Sequence, residues 1–283
     1  MRQTIRNASC ATLLATLTAA LAAAVSLAPS AADATEGGVN VLILKEHGVG
    51  SAASAQQYVD NLIAHVARQN KWPSAAGQYL TSRATANQWI GANNPHYGIL
   101  SLAAFLDLRG KHKLEVIGSA EVSGGGGRQY FVVSASETSL AGCKGKTLGT
   151  DHGDDTKFID KVVGRSDFSL SDFTVEDTRR PMKTVNAVAR GEVACALIDD
   201  AQLASLPKAD GGAAVKTVWS SRQLPEMAVV AFPSAPASEK ASFKKTLAAV
   251  CSGDGAAACK EVGLRSLEAA SESAYADVIT DYQ

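Results

Sequence analysis

Short β-branched apolar runs alternate along this chain with stretches whose apolar residues recur every three to four positions, the pattern of strands followed by helices. Val39-Asn-Val-Leu-Ile-Leu44 reads as a buried strand, and Gly48-Val-Gly50 breaks it. Ser51 or Ser54 then caps a helix with Val59, Leu62, Ile63 and Val66 on one face. A second unit runs from a strand at 77–81 into a helix over 84–90. A third runs from a strand at 97–100 into a helix over 103–108, with another strand at 114–122. Gly124-Gly-Gly-Gly127 follows, and then Tyr130-Phe-Val-Val-Ser134, a strong strand signal. The second series predicts strands at 147–149, 173–175, 193–198, 215–219 and 227–232, with helices over 156–163, 182–189 and 200–206 between them. The C-terminus reads as helical, over 240–250 and in further turns through Tyr282.

Such alternation predicts an α/β protein with mostly parallel sheets flanked by helices. The glycine tetrad and the segment around Pro225 read as two crossings between lobes. The first lobe is then discontinuous, residues 35–127 with 224–283, and residues 128–223 form the second lobe.

The first residues carry a different message. Arg2 and Arg6 precede an uncharged Ala/Leu/Val/Thr stretch from Ala11 to Ala28, and Ala32-Asp33-Ala34 offers a small-residue cleavage site. The stretch is too short and too often interrupted by Thr and Ser for a membrane anchor. Residues 1–34 are therefore expected to be a cleaved signal peptide, which places the product in the periplasm without a membrane anchor. Cys10 precedes the apolar run and is badly placed for lipidation. The whole chain has a formal charge of −1, so no basic face suggests nucleic acid as a partner. Outside the cytoplasm thiols tend to be oxidised. Cys251 and Cys259 flank a flexible Ser-Gly-Asp-Gly loop and are expected to pair. Cys143 with Cys195 is a second possible bond, the alternative for Cys195 being a buried thiol in a strand.

Three stretches carry a family resemblance: Tyr97-Gly-Ile-Leu-Ser-Leu-Ala-Ala-Phe105 with Leu114–Ser119, Tyr130–Ser136 with Ser139-Leu140 and Gly145–Gly149, and Val185-Asn-Ala-Val-Ala-Arg-Gly191-Glu-Val193. Together with the return segment 220–225 they resemble the type II periplasmic solute-binding proteins of ABC transporters, within them the phosphate/phosphite/phosphonate-binding (PhnD-like) family, over about residues 39–250. The resemblance implies a monomeric, two-lobed receptor that closes by hinge motion on a small-molecule ligand and presents it to a membrane permease, with no cofactor. One departure bears on the ligand. Where that family carries a Ser/Thr-rich turn cradling an oxyanion, this chain reads Thr150-Asp151-His152-Gly153-Asp154-Asp155-Thr156. Like charges a few ångströms apart repel by roughly 1–4 kcal/mol even with substantial screening. Phosphate and phosphonate are thus poor candidates. Asp151, Asp154 and Asp155 read either as helix caps, as contacts for a cationic or hydroxyl-rich group, or as part of a metal site with His152.

The remaining candidates follow strand ends, where open α/β sheets bind ligands. They are Glu46, His47 and Gly48 after the first strand, Tyr97, Ser101 and Leu102 around the third, Tyr130 at the crossing, Thr156, and Asp199. The run Leu100–Phe105 leaves open an apolar wall for a lipid- or sterol-like ligand. A ligand-sensing role without transport is a further alternative. The chain has no G-x-S-x-G elbow, no H-E-x-x-H pair and no P-loop lysine, so no enzyme is expected.

Overall fold

The computed structural model describes residues 38–47 and 52–283, the side chains of 52–54 excepted; the expected signal peptide, Cys10 and Gly48 to Ser51 lie outside the described residues. The first stretch forms β1 (Gly38–Leu44), α1 (Ala52–Asn70), β2 (Ser74–Leu80), α2 (Arg83–Asn93), β3 (Tyr97–Leu100), α3 (Leu102–His112) and β4 (Glu115–Val122). The second forms β5 (Tyr130–Ser134), α4 (Leu140–Cys143), β6 (Thr147–Thr150), α5 (Thr156–Phe158), β7 (Thr174–Asp177), α6 (Pro181–Ala189), β8 (Cys195–Asp199), α7 (Asp200–Ser205) and β9 (Lys216–Ser220). The third forms β10 (Met227–Ala231), α8 (Ala237–Val250), α9 (Ala256–Glu261), β11 (Leu264–Ala269) and α10 (Ala276–Tyr282).

The strands segregate into two sheets, ordered β11-β4-β10-β3-β1-β2 and β7-β6-β8-β5-β9. Both are mixed. β2, β1 and β3 run parallel, as do β7, β6 and β8. β10 opposes β3 and β4, and β5 opposes β8 and β9, because these are the strands by which the chain enters one sheet from the other. The buried runs read from the sequence reappear as β1, β3, β5, β8 and β10.

Two segments differ from expectation. The predicted helix over 156–163 keeps only one α-helical turn and continues as a π-helical stretch, Ile159–Gly164. The helical C-terminus contains a strand, β11, antiparallel to β4. Its sequence, LRSLEA, buries only Leu264 and Leu267, and pairing with an open sheet edge overrides its weak local preference.

Crossing between the sheets occurs at 123–129 and 221–226, and the two segments lie side by side. Leu224 N donates to Arg128 O at 2.7 Å, Arg128 Nε donates to Leu224 O at 2.8 Å, and Arg128 also pairs with Glu226. Gly124 to Gly127 all have positive φ, between 78° and 125°, which side-chain-bearing residues rarely adopt. A Cβ on Gly125 would stand 2.5 Å from Asp200 Oδ2, so this crossing requires glycine.

The core has three parts. One apolar cluster lies between the lobes, joining Leu42, Leu100 and Phe105 with Val132, Phe158 and Leu197. The other two pack helices onto the outer faces, Val59, Leu62, Ile63 and Val66 of α1 among them. α10 reaches across both lobes. Val278, Ile279 and Tyr282 join the central cluster, Lys157 Nζ sits 4.2 Å over the Tyr282 ring, and Asp281 pairs with Arg165 and Arg222. Both cysteine pairs are bonded, Cys143–Cys195 and Cys251–Cys259, so Cys195 is buried as part of a disulfide.

Candidate functional site

The C-terminal ends of β1, β2, β3, β6, β7 and β8 converge on one cleft, as the strand-end rule predicts. The cleft holds two cavities. The larger, about 870 Å³, lies between the 46–47 and 81–84 loops on one side and the 151–155 and 177–182 loops on the other. The smaller, about 300 Å³, lies beside the glycine crossing and is lined by Ser101, Leu102, Tyr130, His152 and Asp199. Glu46 and His47 line both.

Arg83 ties the two walls together. Ser82 caps α2, its Oγ accepting from Thr85 N, and so places Arg83 at the first turn facing β1. Its guanidinium forks onto Glu46, Nε to Oε1 at 3.0 Å and Nη2 to Oε2 at 2.8 Å. The same Nη2 donates across the cleft to Asp155 Oδ2 at 2.5 Å. Ser101 Oγ adds a donor to Glu46 Oε2 at 3.1 Å. Burial opposes the charge of Arg83, but the hydrogen bonds and fields of Glu46 and Asp155 outweigh it and hold the guanidinium protonated. Asp155 therefore does not cap α5 through its side chain. Asp154, by contrast, is exposed at the larger cavity and has no hydrogen-bond or ion-pair partner among the described residues.

A second cluster lies beside the first. The 46–47 loop brings His47, and the loop after β6 brings Asp151 and His152, the latter two almost fully buried. His47 Nδ1 stands 3.4 Å from Asp151 Oδ2, and the His47 and His152 rings are 4.1 Å apart between centroids. Asp151 Oδ1 accepts from Gln202 Nε2 at 2.9 Å and from Thr184 Oγ1 at 3.3 Å. Burial works against the Asp151 charge, yet His47, His152 and Gln202 overcome it and hold its pKa low. His47 moves the other way: burial disfavours its cation, but Asp151, Glu46 and Asp154 raise its pKa. For His152, burial first and the neighbouring His47 second lower the pKa, which keeps the imidazole neutral.

Asp199 caps α7 through a reciprocal box, its Oδ1 accepting from Gln202 N at 2.8 Å while Gln202 Oε1 accepts from Asp199 N. Burial, aided by Asp200 and Asp151, pushes its pKa up to about 6. A carboxyl whose folded pKa exceeds its unfolded one stabilises the fold most when protonated, and that contribution is lost as pH rises through 6. Asp199→Asn keeps the cap and removes the buried charge. We expect it to raise stability at pH 8 by about 1–2 kcal/mol and to flatten the stability change between pH 5 and 7. Urea unfolding of both proteins across that range measures it, and an unchanged slope would show that Asp199 does not titrate there.

The cleft thus gathers Glu46, His47, Ser101, Leu102, Tyr130, Asp151, His152, Asp154, Asp155 and Asp199 of the residues singled out from sequence. Tyr97 is a correction. It begins β3, at the end of the strand away from the cleft, where its ring stacks on Trp72 at 5.4 Å and its hydroxyl donates to Glu239 Oε1 at 2.7 Å. Thr156 is exposed at the start of α5 and lines neither cavity. The apolar wall is a second correction. Leu100, Ala104 and Phe105 are fully buried in the central core, and only Leu102 and Ala103 reach a cavity, so the cleft does not support a lipid- or sterol-like ligand. Sequence reasoning misses Arg83, Gln202, Asp177 and the exposed pair Arg179 and Arg180, although the strand-end rule applied after β2 and β7 points to Arg83 and Asp177.

The model of a family described as ABC transporter, phosphonate, periplasmic substrate-binding protein matches residues 49–275. Among solved structures, the chain is similar to the binding protein component of an ABC phosphonate transporter from Pseudomonas aeruginosa, with a TM-score of 0.62, 12% identity, and 86% of this chain and 85% of that chain covered. It is similar to PhnD1 of Prochlorococcus marinus in complex with methylphosphonate, with a TM-score of 0.63 and 9% identity over 87% of this chain and 97% of that one. A Xanthomonas citri protein bound to ATP gives a TM-score of 0.66 at 10% identity, again over 87% and 97% of the two chains. No curated protein is significantly similar in sequence. At these identities the structural likeness shows the two-lobed α/β fold.

Proposed function

The chain belongs to the family of periplasmic substrate-binding proteins of phosphonate ABC transporters, and from that premise we propose that it captures a small ligand bearing positive charge, not a phosphonate, in the cleft between its lobes. The family consists of substrate-binding components of importers, not enzymes. We assign residues 35–127 with 224–283 to one lobe and 128–223 to the other, in a monomer whose residues 1–34 are removed on export. Rotation about the paired crossings 123–129 and 221–226 closes the lobes. A ligand touching both walls binds the closed form more tightly and shifts the population toward it, and a membrane permease reads the closed shape.

The observation that carries the choice of ligand is the loop after β6. Asp151, Asp154 and Asp155 stand where the family resemblance places an oxyanion cradle, and Asp154 faces the larger cavity with no hydrogen-bond or ion-pair partner among the described residues. A phosphonate seated beside Asp154 would meet like charge, with Arg179 and Arg180 farther along the same cavity, whereas an ammonium or guanidinium group there would be attracted. Thermal unfolding of the purified protein against methylphosphonate, phosphate, arginine and a polyamine tests this. A ligand at 100 times its dissociation constant stabilises the fold by about 2.7 kcal/mol. We expect a shift with the amines and none with the oxyanions; a shift with methylphosphonate alone would overturn the assignment.

A further inference from the structure

We infer that His47, Asp151 and His152 form a binding site for one divalent first-row transition-metal ion, assembled from both walls of the cleft. Each residue offers one donor atom, and the three donors lie within 4.8 Å of one another. The inference deepens the carrier reading, on which it rests: besides the wall at Asp154, where an amine-bearing ligand is attracted, the cleft holds a second place for positive charge, filled by the ion.

Two buried atoms point to a missing partner. His152 Nε2 has no hydrogen-bond partner, and Asp151 Oδ2 makes no hydrogen bond, with His47 Nδ1 beside it at 3.4 Å; both belong to side chains less than a tenth exposed. Buried polar atoms are nearly always satisfied, and leaving one unpaired costs about 1–3 kcal/mol. The surrounding bonds make the orphaning specific. Gln202 and Thr184 both occupy Asp151 Oδ1, which leaves Oδ2 turned toward His47. Oriented ligand carboxylates held by outer hydrogen bonds are the usual construction around a protein-bound metal.

The donor set selects the ion. Two imidazoles and one carboxylate suit zinc and its neighbours, while magnesium and calcium prefer all-oxygen shells. Three protein donors leave one or more positions open, and His47 and Asp151 both line the larger cavity, so an incoming chelator or water has a place to bind. Glu46 and Asp155 are not part of this site because Arg83 occupies them. His47 comes from the wall built by β1, and Asp151 with His152 from the wall built by β6, so an ion held by all three crosslinks the lobes.

Protein exported to the periplasm, purified and stripped with EDTA, would be titrated calorimetrically with zinc, cobalt(II), magnesium and calcium. Expected are one zinc or cobalt ion per chain, a cobalt visible spectrum showing nitrogen and oxygen ligands, and no heat from magnesium or calcium. Asp151→Asn and His152→Asn should each weaken zinc binding roughly 100-fold, and Gln202→Leu roughly 10-fold through loss of ligand orientation. Circular dichroism of the metal-free variants checks folding, and should a ligand variant fail to fold, His47→Ala, in the more exposed loop, replaces it. Absence of stoichiometric zinc binding, or wild-type affinity in the ligand variants, overturns the site. Thermal unfolding separates the two readings. Stabilisation by an organic cation without any metal binding removes only the metal inference, whereas no stabilisation by any metal or compound removes the carrier reading as well.

Discussion

Arg83→Ala is expected to open the cleft. In the closed protein one guanidinium serves Glu46 on its own wall and Asp155 on the opposite wall, and these two carboxylates are only about a tenth exposed. Deleting it leaves two buried charges of like sign facing each other. Removing one partner from such a buried ion pair typically costs 3–5 kcal/mol, and partial solvent access here brings the expectation to about 2–4 kcal/mol. The penalty falls on the closed form alone, since opening lets water reach both carboxylates, so the closed population should fall by a factor of about 30 to 1,000. Small-angle scattering of the two proteins would register this as a larger radius of gyration, and ligand affinity should fall by a similar factor. Arg83→Lys retains charge but not the fork, and should lie between the two. Asp155→Asn made in the Arg83→Ala background should cost less than the sum of the single changes, because the residues share one interaction. A closed Arg83→Ala protein would mean that the apolar cluster between the lobes, and α10 across them, hold the walls together without the ion pair.

Replacing Cys143 and Cys195 together by alanine is expected to destabilise the second lobe strongly. The bond joins α4 to β8 across 52 residues, and that loop contains β6, the Asp151–Asp155 turn, β7 and α6. In the chain-entropy account, a crosslink of this span removes about 4 kcal/mol of freedom from the unfolded state. The Cys251–Cys259 bond spans only 8 residues and contributes about 2.5 kcal/mol on the same reasoning. Urea unfolding of the two double variants should therefore rank them clearly, with the Cys143/Cys195 pair the more damaging. Both cysteines of that pair are fully buried, so loss of packing adds to the difference. Equal midpoints would show that loop length does not govern the effect. Because the longer loop carries the acidic turn, ligand binding should weaken with that variant and survive the loss of the Cys251–Cys259 bond.

Much of the architecture is legible in the order of residues alone. β1, β3, β5, β8 and β10 are runs of apolar residues buried on both faces, and such runs declare themselves without reference to partners. The glycine tetrad announces a crossing because four consecutive left-handed residues have few other uses. The strand β11 is not legible, since its six residues carry only two buried leucines and become a strand by pairing with β4. The mixed direction of the sheets is equally hidden, because strand direction depends on where the chain re-enters each lobe.

The site divides in the same way. The carboxylates after β6 and the residues after β1 are visible as polar groups at strand ends, and the loop's excess of negative charge by itself argues against an oxyanion. Tyr97 misleads because an aromatic residue near a strand end looks alike whether it faces the cleft or, as here, stacks on Trp72. What the sequence by itself determined was the alternation of strands and helices, the crossing points and the acidity of one loop, all properties of neighbouring residues. Only the tertiary structure decided that Arg83 would take Glu46 and Asp155, and that His47 would meet Asp151 and His152 more than a hundred positions away. Those pairings depend on the distance between two walls built from remote segments, and the energy of a charge or an imidazole is set by what stands within a few ångströms of it, whatever the separation along the chain.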